Sequence, residues 1–252
     1  MYIEGLWRYP VKSMLGEKLD EAYLGEMGVA GDRSYALVDA ETGMVVTAKN
    51  PKLWSKLLTI KASLQNGQLA IHLPAGRKLD MENADDLLSQ YLGRRVRLVA
   101  QACGELEYLG YWPRIGELIH RSEYEVGKTL SGTFFDSAPI HLITSENIQS
   151  IARVIPSGKV GVERFRPNIL LGAESDLDER KVLGVSLQVG EAHIKVIRRT
   201  RRCVVTTLPQ HGLDTDLNIL KTIYRLYGGY AGFYAEVLRP GVVRVGDAVK
   251  LL

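Results

Sequence analysis

Four arginines lie in the stretch 198–202, directly before Cys203, one of the two cysteines in the chain. Positive charge close to a thiol stabilises the thiolate, which is the form that attacks electrophiles and binds soft metals. Side chains of an extended strand alternate between its faces, so Arg199, Arg201 and Cys203 are expected to share one side. Guanidinium groups on that side could hold a phosphate or another oxyanion beside the sulfur. A basic surface strand with a structural cysteine fits the local composition equally well.

Four other parts of the chain offer groups that bind anions. A turn near residue 12 presents an ammonium and a hydroxyl, and a helix N-terminus is predicted after a strand at 140–143. An Arg-Pro-Asn sequence places a guanidinium and an amide at the start of another strand, because the residue before proline favours extended geometry. Solvated loops, simple helix capping and an ion pair with Asp32 are the alternative interpretations. The candidate side chains are Lys12, Ser13, Arg33, Thr144, Ser145, Arg166 and Asn168.

The elements that position these residues are mostly short strands. Turn residues predict hairpins at Thr42-Gly43 and Asn66-Gly67, and apolar spacing predicts a helix over 83–92 that ends at Gly93. We expect an α+β fold that is predominantly β. It comprises an N-terminal β-barrel-like domain over 1–105 and a C-terminal β-barrel with short helices over 106–252.

Within the second half, the pattern predicts connecting loops over 102–131 and a helix over 148–154 capped by Thr144. A hairpin is predicted at 189–191, which delivers the chain to the arginine-rich strand. A helix over 218–227 and a closing hairpin over 232–251 complete the predicted elements.

Composition excludes several classes of protein. The 252 residues are 46% hydrophobic and 24% charged, which is ordinary for a globular chain, and the net charge of +3 does not imply a nucleic-acid partner. Two cysteines do not make a disulfide framework, no Cys/His array suggests zinc or an iron–sulfur cluster, and Cys103 is interpreted as a passive thiol. No secretory signal and no membrane-length apolar run are present, so we expect a cytoplasmic protein with no membrane partner.

Five motifs in a fixed order resemble MOSC-domain proteins, the molybdenum cofactor sulfurase C-terminal type with its N-terminal β-barrel domain. The motifs are YPVKS at 9–13, GDRSYALVD at 31–39, RFRPNILL at 164–171, RCVVTT at 202–207, and GFYAEV at 232–237 followed by PGVVRVGDAVKL at 240–251. Each motif is weak by itself, but five in the right order are specific. The pattern is most similar to the amidoxime-reducing components and their bacterial relatives.

The resemblance implies that 1–105 is the MOSC N-terminal domain and that 106–252 is the MOSC domain. It also implies a molybdopterin cofactor whose molybdenum is bound by Cys203, the catalytic residue, and a soft thiolate is a suitable ligand for that metal. A small hydroxyl residue often stands at the position of Arg201 in the eukaryotic relatives. The implied cofactor contacts are Lys12, Ser13, Arg33, Thr144, Ser145, Arg166, Asn168, Arg201, Arg202 and Tyr234.

The function that the resemblance implies is an oxidoreductase that reduces N-hydroxylated small molecules. The chain has no ferredoxin-like module with four cysteines, so we expect a separate ferredoxin- or cytochrome-like electron donor, and we expect a monomer. Two alternatives use the same residues: a sulfur carrier with a persulfide on Cys203, and a molybdenum cofactor carrier without reductase activity. A nucleic-acid binder is the least favoured alternative.

Overall fold

The computed structural model describes residues 1–100, 104–113, 124–172, 182–210 and 212–252. The strands in these ranges are β1 Tyr2–Arg8, β2 Glu17–Leu19, β3 Glu21–Gly25, β4 Gly28–Val29, β5 Tyr35–Asp39, β6 Lys61–Gln65, β7 Gln68–His72, β8 Val96–Ala100, β9 Glu107–Tyr111, β10 Tyr124–Lys128, β11 Ile140–Thr144, β12 Ile169–Gly172, β13 Ser186–Val189, β14 Ala192–Arg201, β15 Tyr230–Arg239, β16 Gly241–Arg244 and β17 Val249–Leu251. The α-helices are α1 Pro51–Trp54, α2 Ala84–Leu92, α3 Ser145–Val154 and α4 Asn218–Tyr227.

The fold is mostly β, as predicted, and its largest element is an eight-stranded sheet that curls like half of a barrel. The strand order in this sheet is β17-β13-β14-β15-β11-β12-β1-β2. The first strand of the chain therefore pairs antiparallel with β12 from the second half. Because β1 lies in this sheet, the turn that follows it, with Lys12 and Ser13, leaves the sheet beside the strands of the second half.

Two hydrophobic cores flank the seam between the halves. One lies on the large sheet and includes Ile3, Leu142 and Phe233, and the other is built from residues of the N-terminal half such as Leu57 and Ile71. Val205, two residues after Cys203, is buried in the second of these cores. The turn that carries the cysteine is therefore anchored in the opposite half of the molecule, which fixes its position relative to the N-terminal loops.

Several predicted elements are confirmed, and their local chemistry explains why. Helix α2 ends at Gly93, which has a φ of 77° and takes the left-handed cap conformation that favours glycine. The Asn66-Gly67 turn joins β6 to β7. The Thr144 hydroxyl accepts a hydrogen bond from the Asn147 amide and caps α3, and α4 spans the predicted range.

Three predictions about the β elements are wrong. The last strands form no closing hairpin, because β16 pairs with β3 and β17 pairs with β13. The segment predicted as loops contains β9 and β10, which pair with each other. The strand expected to return after Gly43 makes only the bridge between Val38 and Val45. The interpretation of Cys103 lies outside the described residues, and no helix within the described ranges has the length and apolarity to cross a membrane.

Candidate functional site

A cavity of about 410 Å³ lies between the N-terminal loops and the end of β14. Its wall contains the half-buried thiol of Cys203, and Asp136 is the carboxylate among its lining residues. The lining cations are Lys12, Arg33, Lys49, Arg166, Arg198, Arg199, Arg201 and Arg202. Among the lining residues that the structure describes, eight cations face one carboxylate, and this excess of positive charge favours an anionic occupant.

The structure brings most of the predicted site residues together. Those that line the cavity are Lys12, Ser13, Arg33, Arg166, Arg201, Arg202, Cys203 and Tyr234. Three others make internal contacts instead of lining it. Thr144 caps α3, the Ser145 hydroxyl donates to the Leu171 carbonyl at 3.4 Å, and the Asn168 amide accepts from the His141 backbone at 3.1 Å. The Thr144 hydroxyl is therefore used by the cap of α3, and the side chains of Ser145 and Asn168 bond to the backbone of neighbouring strands.

Three cavity residues have a left-handed backbone. The φ angles are 64° at Ser13, 46° at Arg33 and 53° at Arg166. The extended geometry predicted for Arg166 from the proline that follows it is therefore wrong. A non-glycine residue held in this region carries strain of roughly 1–3 kcal/mol, and such residues cluster at functional sites. Surrounding contacts hold them: Arg33 pairs with the buried carboxylate of Asp32, and Arg166 donates to the Met14 carbonyl at 2.6 Å. These contacts hold the strained residues in place at the cavity wall.

Two of these guanidinium groups contact the ring of Tyr9. The Arg33 Cζ lies 4.9 Å from the centre of the Tyr9 ring, and the Arg166 Cζ lies 4.3 Å from it. Burial, followed by the charge of Arg33, lowers the pKa of Arg166 to about 10. Asp32 forms the expected ion pair with Arg33, and Arg33 still lines the cavity. An anion in the cavity would relieve the repulsion between the two cations.

The arginine-rich stretch does not alternate as expected. The pairing of β14 with β15 is irregular between Val196 and Arg198 and again between Arg199 and Arg201, and the strand ends at Arg201. These irregularities turn successive side chains toward the cavity, so all four arginines line it. The prediction that Arg199, Arg201 and Cys203 share one side of a regular strand is therefore wrong in part, because Arg198 and Arg202 line the same cavity.

Each arginine of the stretch packs against an aromatic ring from another element. The distances from Cζ to the ring centre are 5.5 Å for Arg198 and Tyr234, 4.7 Å for Arg199 and Tyr230, 5.3 Å for Arg201 and Trp112, and 5.2 Å for Arg202 and Phe165. Cation–π contact of this kind orients a guanidinium while leaving its N–H groups available for an anion. The sequence near Cys203 has no aromatic residue, so this feature was missed.

Arg202 is the most buried arginine of the stretch and contacts His141. Its Nη1 donates to His141 Nε2 at 3.3 Å, and its Nη2 donates to the Phe165 carbonyl at 2.8 Å. His141 Nδ1 lies 3.3 Å from the Arg166 carbonyl, so the contacts assign the proton to Nδ1. Burial, followed by the charge of Arg202, holds the pKa of His141 well below its usual value. His141 therefore acts as a neutral acceptor that orients Arg202.

On the opposite wall, Asp136 lies between two lysines. It pairs with Lys12 and with Lys49, whose Nζ is 2.7 Å from Oδ2. Burial alone would raise the pKa of Asp136, but the charges of Lys12 and Lys49 hold it well below its usual range. Lys49 also donates to the Tyr108 hydroxyl at 3.1 Å. This wall is a rigid ionic cluster with excess positive charge.

The turn that carries Cys203 is held by a buried arginine. Cys203 begins a single turn of 3-10 helix, Val204–Thr207, and its carbonyl accepts from the Thr206 amide at 3.2 Å. The Arg164 Nη1 donates to the carbonyls of Thr206 at 3.2 Å and Leu208 at 2.8 Å, and its Nη2 donates to the Asp214 carbonyl. These backbone acceptors fix the turn, so the position of the sulfur is set by the fold.

Sequence reasoning missed several lining residues. They include Lys49, Trp112, Asp136, Ser137, His141 and Tyr230. The usable signal was the pair Asp136-Ser137 in the loop that leads into β11, since polar side chains on loops often face a site. No local signal marks Lys49 or Trp112, because their positions depend on how the N-terminal half packs against β14.

Comparisons with known proteins agree with the geometry. The MOSC N-terminal beta barrel domain model matches residues 1–108, and the MOSC domain model matches residues 129–250. The mitochondrial amidoxime-reducing component 1 of Mus musculus is 25% identical, over 98% of this chain and 81% of its own length. The mitochondrial amidoxime reducing component 2 of Macaca fascicularis is also 25% identical, over 97% of this chain and 81% of its own length.

A solved structure supports the fold. The YuaD protein from Bacillus subtilis superimposes with a TM-score of 0.50 and 14% identity, and the match covers 98% of this chain and 93% of that protein. Its low identity restricts the comparison to the fold. The two domain matches together span nearly the whole chain, in the order that the five motifs predict. The chain therefore belongs to the MOSC-domain family and carries both the MOSC N-terminal beta barrel domain and the MOSC domain.

Proposed function

We propose that the chain binds a molybdopterin-type molybdenum cofactor in the basic cavity and reduces N-hydroxylated small molecules. Membership of the family supports a function related to the molybdenum cofactor. The observation that carries the proposal is the placement of Cys203 in the same cavity wall as eight cationic side chains. A thiol and a dense anion site in one cavity suit a metal held by sulfur and a phosphate held by guanidinium groups.

The residues present fit such a cofactor. One buried nitrogen of the cavity arginines, Arg202 Nε, has no acceptor within the part of the chain that the structure describes. An unpaired buried donor is costly, and an anionic oxygen is the partner that it lacks. The partly exposed aromatic rings at the wall, Tyr230 and Tyr234 among them, offer flat apolar surface to a pterin. The volume of about 410 Å³ lies in the usual range for small-molecule sites.

Each part of the wall has its own task under this proposal. Cys203 holds the molybdenum, and the residues of the left-handed segments, Ser13, Arg33 and Arg166, hold the anionic end of the cofactor. When bound, the cofactor supplies the two-electron redox chemistry. Arg198 and Arg201 lie at the exposed side of the cavity and orient the polar group of a substrate.

The reaction balances with an external reductant. An amidoxime, two electrons and two protons give an amidine and water, as the N–O bond breaks and its oxygen leaves as water. The electrons come from a separate ferredoxin- or cytochrome-like protein, and the relatives are named as amidoxime-reducing components. The domain division after residue 105, the cytoplasmic location, the monomeric state and this donor stay predictions.

A turnover assay tests the proposal. Protein purified from cells that make the cofactor is mixed with benzamidoxime and dithionite-reduced methyl viologen, which replaces the protein donor. We expect benzamidine to form at a rate that falls at least about 100-fold in Cys203→Ala, since that variant lacks the metal ligand. Cys103→Ala, the matched control, should keep the rate. Equal rates in both variants, or none in molybdenum-loaded wild type, would contradict the reductase.

A sulfur carrier is the second candidate, because Cys203 is half-buried and faces a cavity with room for an added sulfur atom. A persulfide anion there would be stabilised by the same arginines that suit an oxyanion. Intact-mass analysis of the non-reduced protein separates the two functions. An added mass of one sulfur that disappears in Cys203→Ala supports the carrier, and its absence from protein that contains molybdenum supports the reductase.

A further inference from the structure

A second cleft lies on the other side of Arg166 from the basic cavity. Its volume is about 680 Å³, and Arg166 lines both spaces. One side is formed by the segment His72–Gly76 and by Thr59 of the N-terminal half. The other side is formed by β1, β12 and the segment 162–163. Small-molecule sites are common at seams of this kind between two packed bodies.

The floor of this cleft is apolar and aromatic. Trp7, Tyr9, Leu73 and Leu170 line it, and each is at most 9% exposed. Gly16 also lines it, and a Cβ at that position would lie 2.6 Å from the Tyr9 ring. The backbone at Gly16 therefore lies close against the Tyr9 ring. A floor of this shape suits a flat ring that excludes water from the apolar side chains.

Two hydrogen-bonding groups beside this floor lack partners. The Tyr9 hydroxyl is buried, in a residue that is 3% exposed, and among the described residues it has no hydrogen-bond partner. The Arg166 Nη2 is buried and likewise lacks an acceptor in the described ranges. The guanidinium groups of Arg33 and Arg166 both contact the Tyr9 ring and restrict its position. A hydroxyl that can donate and a guanidinium nitrogen that lacks an acceptor suit a carboxylate better than a neutral group.

The rim of the cleft carries charges of both signs. Lys18, Lys61, Glu4 and Glu163 are exposed, and His72 is half-exposed. The rim therefore has no strong preference for charge. The choice of ligand therefore depends on the apolar floor and on the two donors that lack partners.

We propose that this cleft is a second small-molecule site and that it binds an aromatic carboxylic acid, with the ring on Trp7 and Leu170 and the carboxylate toward Tyr9 and Arg166. The site is distinct from the Cys203 cavity, although Arg166 belongs to both walls. Its occupant is defined by chemistry: a flat apolar ring bearing one anionic group.

Isothermal titration of the purified full-length protein tests this site, and because no turnover is needed the result is independent of the reductase proposal. The probes are naphthalene-2-carboxylate, its neutral carboxamide and cyclohexanecarboxylate. We expect one equivalent of naphthalene-2-carboxylate to bind with a dissociation constant of about 1 mM or tighter. The carboxamide and the non-aromatic acid should each bind at least about fivefold more weakly, since each lacks one recognised feature.

Two variants locate the bound probe. Tyr9→Phe removes one hydroxyl and keeps the stacked ring, so it should weaken binding of naphthalene-2-carboxylate about five- to tenfold. Trp112→Ala changes the wall of the Cys203 cavity and should leave the affinity unchanged. Thermal melting checks that both variants are folded. Absence of binding to the wild type, or binding that Trp112→Ala weakens and Tyr9→Phe does not, would overturn the proposal.

Discussion

At the scale of the residue, the arginines of 198–202 differ from ordinary surface cations because each packs on an aromatic ring. A guanidinium that is already oriented loses less conformational entropy when an anion binds. The rings come from positions far along the chain, so the local composition around Cys203 left a surface strand and an anion site equally favoured. The partners are Tyr234, Tyr230, Trp112 and Phe165.

The stability of the protein should depend on pH through the protonation of His141. Burial and the charge of Arg202 hold the pKa of His141 well below the ordinary value of 6.5. Below that pH, the unfolded chain therefore binds a proton on His141 that the folded chain does not bind. The free energy of unfolding should therefore decrease as the pH is lowered from 6.5. His141 contributes up to about 1.4 kcal/mol per pH unit to this decrease. His141→Gln removes the titrating group and should flatten the decline. Urea unfolding at pH 7.5 and 5.5 measures both slopes.

An identical decline in His141→Gln would show that the imidazole is not held neutral by its surroundings. The depressed pKa of Asp136 contributes in the same direction, since its stabilisation is present above its ordinary value of 3.8 and is lost as the pH falls through the lowered pKa. The two contributions occupy different pH windows.

At the scale of the element, the turn after β14 depends on Arg164. Replacing Arg164 by Met leaves three carbonyls without their donor, so the free energy of unfolding should drop by about 3 kcal/mol. Arg153→Ala is the matched control. Arg153 is an exposed partner of Glu146, and its loss should cost less than about 1 kcal/mol. Urea unfolding measures both variants, and equal losses would contradict a role for Arg164 in holding the turn.

A pair of glycines tests the packing of β15 against β11. Gly232 and Gly246 have φ angles of 84° and 93°, so alanine is strained at both positions. A Cβ at Gly232 would also clash with the Leu142 carbonyl and lie 2.8 Å from His141 Nε2, whereas a Cβ at Gly246 meets no atom of the described residues within 4 Å. We expect unfolding free energies lower by more than about 3 kcal/mol for Gly232→Ala and by about 1 kcal/mol for Gly246→Ala.

Urea denaturation of the two alanine variants gives this comparison directly. A loss at Gly232 no larger than the loss at Gly246 would show that the strands are not packed as closely as the structure has them. The same contrast should appear at the site, because only the Gly232 variant pushes on His141 and, through it, on Arg202.

Elements with strong local chemistry were predictable from the sequence. The helix that ends at Gly93, the Asn66-Gly67 hairpin and the Thr144 cap depend on residues within a few positions of one another. The pairing of β16 with β3 was not predictable, because a strand carries no local mark of a partner more than two hundred positions away. The closing hairpin was predicted only because its two strands are neighbours in sequence.

At the scale of the whole molecule, the cavity exists because the two halves close on each other. Val205 packs into the N-terminal core, and Arg166 reaches across to the Met14 carbonyl. Most of the predicted site residues meet at this seam, which the order of the motifs indicated. Lys49 and Asp136 escaped prediction because their pairing joins segments that share no pattern in the sequence.

The same closure explains why Thr144, Ser145 and Asn168 lie outside the cavity lining. Each is close to a lining residue in the sequence, but the backbone directs its side chain to neighbouring strands or to the helix start. Motif matching identifies the correct segment of the chain. The direction of a side chain within that segment depends on sheet register, which only the folded structure supplies.

The most direct test of the central claim is the molybdenum and pterin content of protein purified from cofactor-competent cells. Elemental mass spectrometry, with pterin fluorescence after oxidation, should give about one of each per chain in the wild type and in Cys103→Ala. Cys203→Ala should lose most of the molybdenum, because its metal ligand is gone. Wild-type protein without molybdenum and pterin, or Cys203→Ala with the wild-type content of the metal, would contradict the account.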